Sequence, residues 1–155
     1  MKINCIILAR RGSKRIKGKN LAIFNGFPLI YWTLKNAQDS KIFDNIILSS
    51  DWNKLLTFSK SSFKSIKLNK RSEILSRSNT SSEKVLKYLI KKYNLNTGYT
   101  VLLQPTSPLR KTNYIRQMLK IAIKKKLNTL HSVSYIKNKT YIKKKNKFFN
   151  LPKKS

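Results

Sequence analysis

The chain has 155 residues, 40% of them hydrophobic, and carries 35 Lys and Arg against 5 Asp and Glu, a formal net charge of +30. Its length is that of one domain, and no run of 18 apolar residues predicts a membrane span. The single cysteine, Cys5, excludes an internal disulfide and a cysteine-based metal site. The start of the chain does not resemble a secretory signal, so the sequence predicts a cytoplasmic protein.

The excess of lysine and arginine attracts polyanions such as nucleotides and nucleic acids. These cations are spread along the chain without a nucleic-acid-binding motif, so no specific nucleic acid is expected as a partner. The acids are more informative, because all five lie in the first part of the chain: Asp39, Asp44, Asp51, Glu73 and Glu83. Residues 84–155 contain none and cannot supply a carboxylate to a site.

Apolar runs and helical spacing of apolar residues alternate along the chain. In chain order, the predicted elements are a strand at 3–9, a hairpin turn at Asn25-Gly26, a helix at 28–38, a strand at 45–49, a short helix at 52–61, a strand at 65–68, an irregular stretch at 69–80, a helix at 81–93, a strand at 99–103, a loop at 104–111, a helix at 112–125 and a strand at 129–134. Strands alternating with helices predict an α/β fold with three layers, a mainly parallel sheet covered on both faces. We expect one domain over residues 1–134 and a basic, poorly ordered tail over 135–155.

The loop after the first strand is the strongest local candidate for a site. Residues 9–20 (ARRGSKRIKGKN) contain two glycines and six cations. Glycine lets a backbone approach a ligand closely, while Arg and Lys bind phosphate oxygens. In open α/β sheets, ligands bind at the carboxyl ends of the strands, where this loop would lie. The loop therefore has the features of a triphosphate site, although an exposed basic loop with no ligand is the alternative.

Five segments, in order, resemble the acylneuraminate cytidylyltransferases, the enzymes that activate sialic acids. The segments are IILARRGSKRIKGKN, LAIFNGFPLIYWTLKNA, FDNIILSSD, RSEILSRSNTSS and LLQPTSPLR. Enzymes that activate 3-deoxy-manno-octulosonate are less similar, since they carry Lys-Pro where this chain has Lys19-Asn20. The resemblance implies a Rossmann-like nucleotidyltransferase fold, of the nucleotide-diphospho-sugar transferase type, and transfer of CMP from CTP to a sugar acid.

The resemblance also implies roles for individual residues. It assigns Leu8, Ala9, Arg10, Ser13, Lys19, Asn20, Arg71, Thr80 and Ser82 to CTP, and Gln104, Thr106 and Ser107 to the sugar acid. Arg10 and Lys19 are the expected catalytic residues. Simpler interpretations exist: Ser82 could only cap the helix that begins beside it, and Arg71 could be one more surface cation.

The chain departs from the family pattern most clearly in what it lacks. Ser78 stands where the family usually has Asp, and the family's later half has no counterpart here. That half carries part of the sugar site, most contacts of the homodimer and an Asp-x-Asp pair for Mg²⁺. Asp51 is the only well-placed metal candidate, and one carboxylate makes a weak site. The sequence thus predicts a fold that is incomplete at its C-terminus.

Three interpretations of function remain open at this point. The chain is a cytidylyltransferase, active alone or completed by a second polypeptide. Alternatively, it is a truncated or decayed copy that binds CTP weakly or has no activity. The third interpretation is a basic nucleic-acid-binding protein built on the same fold.

Overall fold

The computed structural model describes residues 1–13 and 15–133 with their side chains, and the backbone of residues 141–144 and 147–150. The chain divides into two compact units, Met1–Leu119 and Lys120–Ser155. The domain boundary expected at residue 134 and the disorder of the tail remain predictions.

The elements of the first unit alternate as the sequence predicted. They are β1 (Ile3–Leu8), a 3-10 turn (Lys19–Leu21), β2 (Ile23–Phe24), β3 (Phe27–Pro28), α1 (Leu29–Asp39), β4 (Asn45–Ser50), α2 (Asn53–Ser62), β5 (Lys67–Lys70), α3 (Glu73–Ser76), α4 (Ser82–Lys92), β6 (Tyr99–Leu103) and α5 (Thr112–Lys124), which continues into the second unit. In the second unit, β7 (Tyr141–Lys144) pairs antiparallel with β8 (Lys147–Asn150). No helix among the described residues is both long and apolar enough to cross a membrane.

Four parallel strands form the sheet, in the order β5-β4-β1-β6. β1 lies inside the sheet, as its uninterrupted apolar run predicts, and pairs with β4 on one side and β6 on the other. Because all four strands are parallel, their carboxyl ends meet at one edge of the sheet. Whatever follows each strand is therefore brought to that edge.

The core has two parts, one on each face of the sheet. Ile7 and Leu48 face the side on which Leu34 of α1 is buried. Ile6 faces the opposite side and packs in the cluster that contains Leu89 of α4. Side chains alternate between the faces of a strand, so consecutive residues of β1 serve both clusters. Burial of each of these Ile or Leu side chains stabilises the fold by about 1.5–3 kcal/mol. With helices on both faces of the sheet, the predicted three-layer arrangement is confirmed.

Some predicted elements are corrected. No strand forms at 129–133, where Leu130 is 38% and Val133 is 91% exposed, and residue 134 lies outside the described residues. A short apolar run that finds neither a pairing strand nor a core to cover it has nothing to hold it extended. The strand expected at 65–68 is displaced to Lys67–Lys70, and the stretch predicted as irregular contains the four-residue helix α3.

Candidate functional site

Residues that follow three of the four strands, β1, β5 and β6, line a cleft of about 640 Å³ at the carboxyl edge of the sheet. Arg10 follows β1, Arg71 follows β5 and Gln104 follows β6, and all three line the cleft. They are far apart in sequence and come together only because the strands are parallel. This was the arrangement expected of a binding site in an open α/β sheet.

Most of the residues assigned from the sequence reach this cleft. They are Leu8, Arg10, Ser13, Lys19, Asn20, Arg71, Thr80, Ser82, Gln104 and Thr106. The other three are placed differently. Ala9 is buried and its N–H donates to the Ser49 carbonyl at 3.0 Å, Ser107 lies in the turn after β6, and Asp51 follows β4 beside the basic loop. The structure thus places the residues together, while their individual roles remain proposals.

Two side chains, those of Asn20 and Asp51, hold the start of the loop after β1 by hydrogen bonds. The Asn20 amide donates to the Arg10 carbonyl at 2.9 Å, and the Arg11 N–H donates to Asp51 Oδ1 at 2.7 Å. Gly18 adopts φ +66° at the start of the 3-10 turn that carries Lys19. Such a φ suits glycine, because a Cβ makes the left-handed conformation sterically unfavourable for other residues. These contacts direct Arg10 and Lys19 to the same cleft.

Arg71 is a buried cation at the edge of the cleft and is not one more surface cation. Only 7% of the residue is exposed, its Nε donates to Ser49 Oγ at 3.2 Å, and its Nη2 donates to the Ser49 carbonyl at 2.9 Å. Burial lowers the pKa of the Arg71 guanidinium, and the nearby Asp51 carboxylate partly opposes this effect. A guanidinium that has lost much of its water gains strongly from an anionic ligand.

The rim above Arg71 is formed by the start of α4. Ser81, not Ser82, caps this helix, since Ser81 Oγ accepts from the Lys84 N–H at 3.2 Å. The alternative role of Ser82 as the cap is therefore wrong, and Ser82 is the first residue of α4. Thr80 is held by its hydroxyl, which donates to the Ile74 carbonyl at 2.9 Å. The amino end of an α-helix carries a partial positive charge that favours an anion beside it.

The turn after β6 holds Gln104 on the other side of the cleft. The Gln104 carbonyl accepts from the Ser107 N–H at 3.3 Å and from Arg110 Nη2 at 3.2 Å. These two hydrogen bonds to the Gln104 carbonyl fix the turn and leave the Gln104 side chain exposed. Thr106 Oγ1 lies 3.5 Å from Gln104 Oε1. Two polar side chains therefore face the cleft from a braced turn.

A family model described as cytidylyltransferase matches residues 4–154. The chain belongs to the cytidylyltransferase family. The expectation that came from the five sequence segments is thereby confirmed.

Curated relatives and a solved structure agree with this family. The chain is 59% identical over 51 residues to the pseudaminic acid cytidylyltransferase of Campylobacter jejuni, a match covering 33% of this chain and 22% of the relative. It is 32% identical over 133 residues to the N-acylneuraminate cytidylyltransferase of Oncorhynchus mykiss, covering 84% of this chain and 30% of the relative. These matches span less than a third of either relative's length.

The fold is also that of a solved nucleotidyltransferase. The structure of a CMP:2-keto-3-deoxy-manno-octonic acid synthetase complexed with CTP superposes with a TM-score of 0.67, at 18% identity, covering 82% of this chain and 49% of the other. At that identity the similarity concerns the fold. It confirms the predicted nucleotidyltransferase architecture.

Two further cations line the cleft and were not assigned from the sequence. Arg15 lies in the basic loop and Arg77 in the segment between α3 and α4. Arg15 was among the six loop cations, whereas nothing in the sequence distinguished Arg77 from the many other cations. The cleft also has an apolar floor, formed by Leu8, Leu75, Val85, Leu102 and Leu103. No carboxylate is found among the described residues that line it.

The described residues do not fit a divalent metal ion by themselves. Within residues 1–13 and 15–133, no three Asp, Glu, His or Cys residues lie close enough together to hold a metal. Asp51, the candidate named from the sequence, already accepts the Arg11 N–H with Oδ1. Divalent ions such as Mg²⁺ are held by several oxygen ligands in a fixed geometry.

Proposed function

We propose that this chain binds CTP in the cleft and forms the nucleotide-binding part of an enzyme that transfers CMP from CTP to a sialic-acid-like sugar acid, with release of pyrophosphate. The observation that carries the proposal is the convergence on one cleft of Arg10 and Lys19 from the basic loop and of Arg71 from the segment after β5. A triphosphate is the nucleotide group that such a set of cations fits best.

The rest of the cleft suits a nucleoside. A volume of about 640 Å³ lies in the usual range for small-ligand sites. The apolar floor offers a surface for a base, and Leu8 lies in its lining. The Ala9 N–H already donates to the Ser49 carbonyl, so of the Ala9 backbone we assign only the carbonyl to cytosine. Asn20, Thr80 and Ser82 are polar groups at the rim within the same cleft, as contacts with base and ribose require. Cytosine is inferred from the family.

The proposed reaction is an in-line displacement. The anomeric hydroxyl of the sugar acid attacks the α-phosphorus of CTP, a new O–P bond forms, the bond to pyrophosphate breaks, and the hydroxyl proton is released to water. Arg10 and Lys19 are placed to neutralise charge that develops on the phosphoryl and leaving oxygens, which is the main protein contribution in such reactions. We place Gln104, Thr106 and Ser107 on the side of the sugar acid.

The substrate class, the divalent metal ion and the assembly are inferred from the family. The two curated relatives are named for pseudaminic acid and N-acylneuraminate, so we assign this chain a nine-carbon sugar acid of that kind. We expect Mg²⁺ as the divalent cofactor and a homodimer as the assembly. Because the described donors do not fit the ion and all five Asp and Glu are among them, CTP oxygens and carboxylates from another polypeptide would have to complete its coordination.

The test is a titration of the purified chain with CTP and with ATP at two salt concentrations. CTP should bind more tightly than ATP, and Arg10→Ala should weaken CTP binding by about 1.5–3 kcal/mol, the usual scale for a lost charged hydrogen bond. Lys60→Ala is the control, since it removes one positive charge from the exposed face of α2. Equal affinities for CTP and ATP with a steep salt dependence would instead favour the nucleic-acid-binding alternative.

A further inference from the structure

One peptide unit in the basic loop is held at both of its polar atoms. The peptide between Arg10 and Arg11 has its carbonyl oxygen on residue 10 and its N–H on residue 11. Asn20 Nδ2 donates to that oxygen at 2.9 Å, and Asp51 Oδ1 accepts from that N–H at 2.7 Å. A peptide is planar, so two bonds at opposite ends of the plane fix its rotation about the chain.

The orientation of this peptide determines where Arg10 points. Arg10 lies two residues beyond β1, where the strand ladder no longer constrains the backbone. The last backbone hydrogen bond before the loop joins the Ala9 N–H to the Ser49 carbonyl. Beyond it, the next restraints on the chain are those from Asn20 and Asp51. These two bonds are the ones that hold the polar atoms of the Arg10–Arg11 peptide, from which the Arg10 side chain extends into the cleft.

Asp51 is well placed for this role and poorly placed as a sole metal ligand. It directly follows β4, the neighbour of β1 in the sheet. The backbone next to it is fixed, since the Trp52 N–H donates to Ser50 Oγ at 3.1 Å. The same carboxylate also raises the pKa of Arg71, opposing the effect of that residue's burial.

We propose that Asp51 is a positioning residue of the triphosphate loop: its carboxylate, together with the Asn20 amide, fixes the Arg10–Arg11 peptide so that Arg10 faces CTP. The inference rests on the proposed function for the identity of the ligand. The hydrogen bond itself does not depend on it.

The first test needs no ligand. Arg11 is exposed, so its amide hydrogen should be protected from solvent exchange mainly by Asp51. In Asp51→Ala we expect the Arg11 amide to exchange about tenfold faster or more, measured by NMR. Asp51→Asn keeps an acceptor oxygen and should stay near the wild-type rate. Unchanged exchange in Asp51→Ala would overturn the proposal.

The second test compares CTP affinity in the same two variants without and with Mg²⁺. Both remove one negative charge, so their difference isolates the hydrogen bond from the charge. Asp51→Ala should bind CTP about tenfold more weakly than Asp51→Asn, the scale of one hydrogen bond, whether or not Mg²⁺ is present. If Asp51→Asn loses affinity as Asp51→Ala does, or loses only an Mg²⁺-dependent part, the carboxylate acts through its charge or a metal and the positioning role is wrong.

Asp44→Ala provides a matched control at the other end of the sheet. Asp44 Oδ2 accepts from the Ile3 N–H at 2.7 Å, the same kind of bond at the amino end of β1. The variant should speed exchange at Ile3 but leave the Arg11 amide and CTP affinity unchanged. If the wild-type chain does not bind CTP at all, the proposed function fails, while the exchange rates still decide whether Asp51 holds the loop.

Discussion

Ser49 connects the buried polar groups beneath the cleft. This residue of β4 is fully buried, and its hydroxyl oxygen accepts from Arg71 Nε at 3.2 Å and from Asn69 Nδ2 at 3.0 Å. Its carbonyl accepts from Arg71 Nη2 and from the Ala9 N–H. Three strands thus meet at one serine, which holds the Arg71 guanidinium beside the ligand site.

We predict that Ser49→Ala destabilises the chain and weakens CTP binding. The hydroxyl cannot be removed without leaving two buried donors unpaired, at a cost of about 1–3 kcal/mol. Ser59→Ala is the control, because Ser59 is also fully buried but its hydroxyl donates only to the Leu55 carbonyl within α2. Urea unfolding of the two variants gives the comparison. Equal stability of both variants would show that the Ser49 hydroxyl does not hold these donors.

The residues of the site differ in how far the sequence could identify them. Arg10, Lys19 and Gln104 were found because each lies in a segment that resembles the family pattern. Ser49 gave no signal, since a serine at the end of an apolar run has no special meaning in one dimension. Its partners lie 20 and 22 residues away. Asp51 was named as a metal candidate, whereas its bond to the Arg11 N–H could not be foreseen, because it depends on the pairing of β1 with β4.

At the scale of elements, Gly98 determines how β6 joins the sheet. It adopts φ +89°, and a Cβ at this position would lie 1.9 Å from the Lys2 carbonyl oxygen. The same oxygen accepts from the Tyr99 N–H at 3.0 Å, where β6 begins beside β1. Both the backbone angle and the close approach therefore require glycine here.

Three glycine-to-alanine variants should separate these two requirements. Gly98→Ala should cost more than about 3 kcal/mol, because the added carbon collides with backbone and the angle is also unfavourable. Gly26→Ala has open space but φ +81° and should cost about 1–2 kcal/mol. Gly12→Ala meets no atom within 4 Å, so its stability should change by less than about 0.5 kcal/mol. Urea unfolding measures all three, and a Gly98→Ala variant as stable as Gly12→Ala would contradict the argument.

Elements were predictable from sequence where a long apolar pattern coincides with a place in the core. β1 and β4 are buried strands, β6 is partly buried, and α1 and α4 place their apolar faces against the sheet. The strand expected at 129–134 has only Leu130 and Val133 as apolar residues, and 129–133 form none. The sequence does not show whether a partner strand is present. Short elements such as α3, four residues long, are below the length at which periodicity is visible.

At the scale of the whole molecule, the distribution of charge favours binding of the nucleotide but not positioning of a metal ion. Among the described residues, five cations line the cleft: Arg10, Arg15, Lys19, Arg71 and Arg77. Residues 84–155 contain no Asp or Glu. The chain is thus well supplied with groups that bind a nucleoside triphosphate. It is poorly supplied with the oxygen ligands that position a divalent ion.

We therefore predict that the 155-residue chain alone binds CTP but releases pyrophosphate very slowly when supplied with Mg²⁺ and pseudaminate, N-acetylneuraminate or legionaminate. Lysine and arginine can neutralise phosphate charge, but they cannot replace a metal ion. They do not hold the phosphate oxygens in a fixed coordination geometry. The assay measures pyrophosphate release, with the full-length pseudaminic acid cytidylyltransferase of Campylobacter jejuni as the positive control. CTP binding is measured on the same preparation, so that inactivity is not confused with misfolding. Turnover in the common enzymatic range of about 1–10³ per second would contradict the prediction. Such turnover would mean that Asp51 and the CTP oxygens suffice to hold the metal, and Asp51→Asn would then abolish it.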